Sequence, residues 1–145
     1  MKTPYLPELD IGRPHLVEHV AFWSYCAQGE LRFQRCTDCG AWRHPPAPLC
    51  SACRSAQVGW ELAPDDAVLF SYTVVHHAAS PALKEVVPYN VAIVAFPSLG
   101  NLRLVSNIID AAPDEMRIGM PLVLTWQAFG ADRQLPLFRK RPASR

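Results

Sequence analysis

The chain has 145 residues, of which 50% are hydrophobic and 19% are charged, and its formal net charge at pH 7 is +1. This size and apolar content predict one domain, or a small module attached to a small domain. The balanced charge argues against a protein whose main ligand is a phosphate backbone. No apolar run approaches the ~20 residues that cross a bilayer, and the N-terminus lacks the apolar segment of a secretory signal, so we expect a cytoplasmic protein.

A predicted arm and helix occupy residues 1–30. Residues 1–14 contain three prolines and no periodicity, which predicts an extended arm. Residues 15–29 predict a helix that stops at Gly29, because apolar side chains recur at three-to-four spacing. The predicted inner face of this helix holds Leu16, His19, Val20, Trp23 and Cys26 or Ala27. Cys26 belongs to no cysteine pair and is predicted to be a small buried hydrophobe rather than a nucleophile.

The other four cysteines form two CxxC pairs separated by ten residues, between predicted strands at 31–36 and 57–63: Cys36, Cys39, Cys50 and Cys53. Each CxxC forms a tight turn that directs two sulfurs to one point, and Gly40 permits the positive φ that such turns often need. Four thiolates at tetrahedral corners bind Zn²⁺ and leave no open position, so we predict a structural zinc ribbon over residues 31–63, with His44 outside the ligand set. Iron in a rubredoxin-like site, a dithiol redox centre and a pair of disulfides are the alternatives.

Five β-rich runs follow within residues 64–141, and a tail at 142–145 ends the chain. The runs are separated by turn signals and cover 68–77, 89–97, 101–110, 121–129 and 135–138. Their β-branched and aromatic content predicts strands. Five strands in about 75 residues have the size of a closed or half-closed barrel, of which an OB-fold is the commonest, with a small sandwich as the alternative. The protein is therefore predicted to be mainly β.

The sequence offers few of the groups that catalysis needs. Ser71, His76 and His77 share one predicted strand that follows Asp65 and Asp66, and neighbouring side chains on a strand point to opposite faces. The chain lacks a nucleophile elbow, a glycine-rich phosphate loop and an HExxH motif. These side chains are interpreted as a polar rim. The basic residues near the C-terminus are interpreted as a solvated tail rather than a phosphate-binding arm: Arg139, Lys140, Arg141 and Arg145.

The order of motifs along the chain resembles the zinc-ribbon OB-fold proteins, a family linked to acyl-CoA chemistry. The resemblance covers residues 15–140, and the motifs that carry it are Phe22-Trp23, Gly29-Glu30-Leu31, the four cysteines around Pro45-Pro46, Trp60, Ser71 to His77, Pro88-Tyr89 and Ile118 to Val123. It implies an N-terminal helix, a rubredoxin-like zinc ribbon that holds structural Zn²⁺, and a C-terminal five-stranded OB-fold barrel.

Members of this family are typically small subunits that pair with thiolases or thiolase-like enzymes of lipid, isoprenoid or steroid metabolism, and their barrel is proposed to hold part of CoA. The resemblance therefore implies a non-catalytic accessory subunit, a homodimer or hetero-oligomer, that binds a thiolase-superfamily enzyme and helps to hold or channel acyl-CoA. The predicted acyl-CoA contacts are Tyr72, His76, Pro88, Tyr89 and Asn90. Asp65 and Asp66 depart from the glycine-containing turn that usually opens the first barrel strand, and these carboxylates would repel CoA phosphates if they faced the ligand.

Two other function classes are compatible with the sequence. Zinc ribbons and OB-folds also occur in modules that bind single-stranded nucleic acid, although the charge balance is unfavourable for that role. A stand-alone acyl-CoA thioesterase or hydratase would depend on His76 or His77.

Overall fold

The computed structural model describes residues 5–7, 9 and 11–143 of the chain. These residues form one α-helix, α1 (Val17–Ala27), and nine strands: β1 (Arg32–Cys36), β2 (Trp42–Arg43), β3 (Val58–Leu62), β4 (Val68–Val75), β5 (Tyr89–Phe96), β6 (Leu102–Ser106), β7 (Ile108–Ile109), β8 (Leu122–Phe129) and β9 (Arg133–Lys140). Three short 3-10 turns lie at Pro81–Leu83, Pro97–Leu99 and Pro113–Glu115. The predicted order of one helix followed by strands is confirmed.

Helix α1 ends where predicted, but the face that it packs against the core differs from the predicted one. Gly29 has a φ of 75°, and the turn is closed by its N–H, which donates to the carbonyl of Cys26 at 2.9 Å. The buried side chains are Phe22 and Cys26, whereas Leu16 and Val20 are 52% and 44% exposed. The predicted inner face was therefore wrong at these two positions, because the helix is oriented by the aromatic ring of Phe22.

The nine strands form three three-stranded sheets, in the orders β2-β1-β3, β4-β5-β6 and β7-β9-β8. All pairs are antiparallel except β7 with β9. The third predicted run is divided at Asn107 into β6 and β7. The last run is the eight-residue strand β9 rather than the predicted four residues at 135–138.

The two sheets of the C-terminal half are joined differently on their two sides. The start of β4 exchanges hydrogen bonds with residues 119–122, including Leu69 N–H to the carbonyl of Met120 at 3.0 Å. On the other side, β6 and β9 form no ladder in the part of the chain that the structure describes. Pro136 in β9 has no N–H to donate, and its carbonyl accepts the Ser106 hydroxyl of β6 at 2.7 Å. The predicted barrel is therefore half-closed, with a seam between β6 and β9.

One hydrophobic core connects the cysteine-rich segment to both barrel sheets. The ring of Phe33 in β1 lies 5.1 Å from that of Phe96 in β5, and Phe96 lies 6.3 Å from Phe138 in β9. Phe22 and Cys26 of α1 belong to the same buried cluster. The base of the cysteine-rich segment is thus part of the core, whereas the four paired cysteines are not among the members of that cluster.

Candidate metal centre and seam groove

The two CxxC segments fold into matching turns. The N–H of Gly40 donates to the carbonyl of Cys36 at 2.9 Å, and the N–H of Arg54 donates to that of Cys50 at 2.8 Å. The residue after each second cysteine is left-handed, with a φ of 79° at Gly40 and 64° at Arg54. The positive φ predicted for Gly40 is confirmed, and Arg54 adopts the same conformation without the freedom of glycine.

The turns bring the four predicted metal ligands together. The sulfurs of Cys36, Cys39, Cys50 and Cys53 all lie within 4.8 Å of one another. The Sγ atoms of Cys36 and Cys53 are 3.6 Å apart, as are those of Cys39 and Cys50. A tetrahedral ZnS₄ centre with bonds of about 2.3 Å has sulfurs about 3.8 Å apart, whereas a disulfide needs about 2.05 Å. The cluster therefore fits a structural metal ion with every position filled by sulfur.

His44 lies between the cysteine pairs in sequence but packs into the protein. Its ring contacts those of Phe22 and Phe33, with centroid distances of 5.1 and 5.2 Å. Burial lowers the pKa of His44 to about 4, with a smaller contribution from the nearby His19. The imidazole is therefore neutral at pH 7. Its position agrees with the prediction that it lies outside the ligand set.

Cys26 is fully buried, as predicted, and this burial raises the pKa of its thiol to about 12. A thiol with so little thiolate at neutral pH is a poor nucleophile. Cys26 therefore acts as a packing residue of α1.

The predicted acyl-CoA contacts lie on two faces of the β4-β5 pair. Tyr72 pairs with the buried Ala92, so it faces the barrel interior together with Asn90. Tyr89 precedes Asn90 and faces the opposite side. His76 and Pro88 are exposed at the ends of these strands. Their contact with acyl-CoA stays a prediction.

Asn90 joins three parts of the chain through its side chain. Its Nδ2 donates to the carbonyl of Ile108 at 2.7 Å and to the hydroxyl of Tyr5 at 2.9 Å, and its Oδ1 accepts the N–H of Ile108 at 2.8 Å. The backbone N–H of Tyr5 donates to Oε1 of Gln127 at 2.8 Å. These bonds attach the N-terminal arm to the barrel.

A large apolar groove, which we call the seam groove, lies beside the open edge of β6. It has a volume of about 680 Å³. Its walls come from the arm (Leu6, Leu9, Ile11), α1 (Phe22, Trp23), the 44–46 loop, the outer faces of β5 and β6 (Ile93, Val105) and β9 (Leu135). Sequence analysis did not find this groove, because segments that are distant in the sequence, from the arm to β9, build it together. The signal available in the sequence was that Ile93 and Val105 are apolar at positions where a half-exposed strand usually carries polar side chains.

Asp65 and Asp66 both interact with other residues of the protein. The Asp65 carboxylate forms an ion pair with Arg141, and the Asp66 carboxylate accepts the N–H of Ser98 at 2.8 Å. Two further basic side chains near the C-terminus, Arg139 and Lys140, pair with Asp110 and Glu115. Neither aspartate lines the seam groove. Arg139, Lys140 and Arg141 each pair with a carboxylate and do not form an unpaired phosphate-binding surface.

Comparison with known proteins places this architecture in a family. The ChsH2 rubredoxin-like zinc ribbon domain matches residues 23–59, and the ChsH2 C-terminal OB-fold domain matches residues 60–127. The chain is 36% identical to a chain of the solved Ltp2-ChsH2(DUF35) aldolase, with a TM-score of 0.79 over 88% of this chain and 98% of that one. The chain belongs to the ChsH2 (DUF35) family. The predicted zinc ribbon and OB-fold are confirmed.

Two further relatives extend the comparison. A solved protein of unknown function from the DUF35 family of Sulfolobus solfataricus shares the fold, with 16% identity and a TM-score of 0.59 over 86% of each chain. A curated Thermomonospora curvata protein, "Probable enoyl-CoA hydratase alpha subunit", is 40% identical over 139 residues, which are 95% of this chain. The chain spans only 42% of the length of that relative. No helix of the described segments is long and apolar enough to cross a membrane.

Proposed function

We propose that this ChsH2-family protein is an accessory subunit, not itself catalytic, that binds a thiolase-superfamily enzyme and helps to hold acyl-CoA for it. The observation that carries the proposal is the whole-chain similarity to a chain of the Ltp2-ChsH2(DUF35) aldolase, of which 98% is covered. Because both matched domains are ChsH2 domains, we infer that the similar chain is the ChsH2 component.

Zinc is the ion that we assign to the four cysteines. The spacing of the sulfurs and their all-thiolate chemistry support it, and iron is the alternative for such a site. With four sulfur ligands the ion would have no position for water or substrate, so its role would be to hold the two turns together. Chemistry on a thioester would then belong to the partner enzyme.

The surface of the OB-fold supports an apolar rather than a nucleic-acid ligand. OB-folds bind oligonucleotides on the face of their second and third strands, which here are β5 and β6. On that face lie the aliphatic side chains of Ile93 and Val105, with one cation, Arg103, stacked on one aromatic ring, that of Phe70. Binders of single strands instead combine a basic groove with stacked aromatic side chains.

The partner can be tested by co-expression. The affinity-tagged chain would be produced with an Ltp2-like thiolase-superfamily aldolase, purified in low salt, and its mass measured by size-exclusion chromatography with light scattering. We expect one complex that contains both chains. A monodisperse chain that leaves the aldolase behind would contradict the proposal.

A hydratase subunit is the second candidate partner, because the T. curvata relative bears the name of an enoyl-CoA hydratase alpha subunit. The same experiment with an enoyl-CoA hydratase subunit in place of the aldolase separates the two. A complex with the hydratase alone would keep the accessory role but replace the partner. Hydratase or thioesterase turnover by the isolated chain, lost in His76→Ala or His77→Ala, would show instead that the chain is an enzyme.

A further inference from the structure

The seam groove has the properties of a ligand site rather than of incomplete packing. Its volume of about 680 Å³ lies within the roughly 300–1,000 Å³ of small-molecule sites. Three large apolar side chains on its rim remain 43 to 64% exposed: Ile11, Phe70 and Val105. Apolar surface that is left open around a concave site is characteristic of a surface that binds another molecule.

We propose that the seam groove binds the apolar acyl group of an acyl-CoA, and that Arg103 at the rim binds an anionic part of the same ligand. This rests on the proposed function and names the place where the ligand is held. It differs from the predicted contacts at His76, Pro88 and Tyr89, none of which lines the groove.

Three polar side chains that line the groove are uncharged. The Ser106 hydroxyl donates to the carbonyl of Pro136, and the Asn107 side chain donates to the carbonyl of Asn90, so both are already used. Burial keeps His44 uncharged at pH 7. The groove wall can therefore accept a hydrocarbon without leaving a buried charge unpaired.

Arg103 supplies a cation where the ligand would leave the groove. Its guanidinium carbon lies 3.8 Å from the ring centroid of Phe70, a stacking contact that orients the group. Within the described segments it forms no ion pair. An exposed, oriented and unpaired guanidinium suits the phosphate groups of CoA.

The N-terminal arm completes one wall of this site. Leu6 and Leu9 line the groove, and the arm is attached by Tyr5 to Asn90 and by an Arg13–Asp132 ion pair with an N–O distance of 3.0 Å. These attachments lie outside the groove itself, so a ligand can enter without breaking the core.

Titration calorimetry of the folded, zinc-loaded chain tests the site with decanoyl-CoA, free CoA and decanoic acid as probes. We expect decanoyl-CoA to bind at least about tenfold more tightly than free CoA, since each buried methylene adds to affinity. Decanoic acid should bind more weakly than decanoyl-CoA. No measurable binding of decanoyl-CoA at about 1 mM, or equal affinity for decanoyl-CoA and CoA, would overturn the proposal.

Two exposed aliphatic residues provide a matched pair of variants. Val105 is 64% exposed on the groove rim, and Ile118 is 65% exposed outside it. Val105→Trp should remove the tenfold preference for decanoyl-CoA over CoA, whereas Ile118→Trp should keep it. Equal effects of the two changes would contradict the site. If Val105→Trp changed the oligomeric state and left decanoyl-CoA affinity unchanged, the groove would be a protein interface and the proposal would be wrong.

The anion contact has its own test. Arg103→Gln should weaken binding of decanoyl-CoA severalfold, and Arg103→Lys should restore part of it, because charge is retained but stacking is reduced. An unchanged affinity in Arg103→Gln would remove Arg103 from the site. The accessory role and the seam-groove site can be contradicted independently. A chain that forms a complex with the aldolase but shows no preference for decanoyl-CoA contradicts only the seam-groove site. A chain that binds decanoyl-CoA but forms no complex contradicts only the accessory role.

Discussion

The two cysteine turns and the body of the molecule are stabilised in different ways. In the turns, which we define as residues 36–41 and 50–55, the buried side chains are Cys36 and Cys50, and the side chains between the sulfurs are exposed. The body buries large apolar side chains such as Phe96, Leu122 and Phe138. The turns lack a core of their own, so their structure depends on the ion, whereas the body depends on apolar packing.

This difference indicates which part of the molecule needs the metal ion to stay folded. Phe33 at the base of β1 packs on Phe96, so the ribbon base belongs to the apolar core although it leads directly into Cys36. Loss of the ion should therefore disorder the turns and stop at the base of β1.

The largest effect is expected from Cys50→Ser. Structural zinc contributes roughly 10–16 kcal/mol of binding free energy in zinc-finger peptides, and the loss of one of four thiolates should leave less than one ion per chain after dialysis. Metal content by mass spectrometry and amide hydrogen exchange measure the result. Exchange should become fast in the turns, residues 36–41 and 50–55, and stay slow in β5.

Cys26→Ala is the control for this change, because Cys26 belongs to the hydrophobic core and not to the four-sulfur cluster. This variant should keep one bound ion per chain. Fast exchange in β5 of Cys50→Ser would contradict the difference between the turns and the body, since it would mean that the body also depends on the metal.

The second effect concerns the body. Phe96→Ala should reduce the free energy of unfolding by about 3–5 kcal/mol, because Phe96 is 1% exposed and lies between Phe33 and Phe138. Denaturant unfolding of the metal-loaded chain measures it. The matched change Phe70→Ala, at a 43% exposed position, should cost less than about 1 kcal/mol. Similar costs at the two positions would show that Phe96 is not central to the core.

Features set by neighbouring residues could be predicted from the sequence. The CxxC spacing places two sulfurs in one turn, and the left-handed Gly40 follows from the same local geometry. The order of helix, ribbon and β-rich runs was also predicted. Pro136 was visible in the last run, but its effect on closure could not be seen, because that effect depends on β6 as the neighbouring strand.

Features set by distant packing were missed. The exposure of Leu16 and Val20 depends on how Phe22 meets the ribbon, and periodicity alone does not determine which side of a helix is covered. Tyr89 and Asn90 were assigned to one patch although adjacent strand residues face opposite sides. The seam groove joins the arm, α1, a loop and the barrel, and no local pattern indicates such a meeting.

The third effect is a pH dependence of the free energy of unfolding. It arises from His44, which packs on Phe22 and Phe33 where the turns meet the body. Its pKa of about 4 in the folded chain is below the ordinary 6.5, so the unfolded chain binds the proton more tightly. Stability from the neutral form is fully present above pH 6.5 and is lost as the pH falls toward 4. Between pH 7.5 and 5.5 His44 alone should account for a loss of about 1 kcal/mol.

Urea unfolding at both pH values, with zinc in excess, measures this loss. Because the thiolate ligands also release zinc more easily as the pH falls, the wild-type chain should lose about 1 kcal/mol more than His44→Phe. His76→Phe, which replaces an exposed histidine, should follow the wild type. A wild-type chain whose stability changes no more than that of His44→Phe would show that His44 is not held neutral by the fold.

The smallest effect is expected on zinc affinity, from variants that compare the two cysteine turns with each other. Gly40 and Arg54 occupy equivalent left-handed positions. A side chain there has a net cost of about 1 kcal/mol, because the backbone strain is partly offset by the lower entropy of the unfolded chain. Gly40→Ala should therefore weaken zinc binding about fivefold, through backbone strain rather than crowding, because an added Cβ would meet Arg35 at an ordinary 3.7 Å. Arg54→Gly should strengthen binding by about threefold, since relief of strain exceeds the entropy cost of glycine.

Competition with a chelator measures both affinities, because folding of the turns is coupled to the ion. The double variant Gly40→Ala/Arg54→Gly exchanges the strained position between the turns and should return close to the wild-type affinity. If Arg54→Gly weakened binding instead, the Arg54 side chain would contribute more to its turn than its backbone strain costs, and the two turns would not be equivalent.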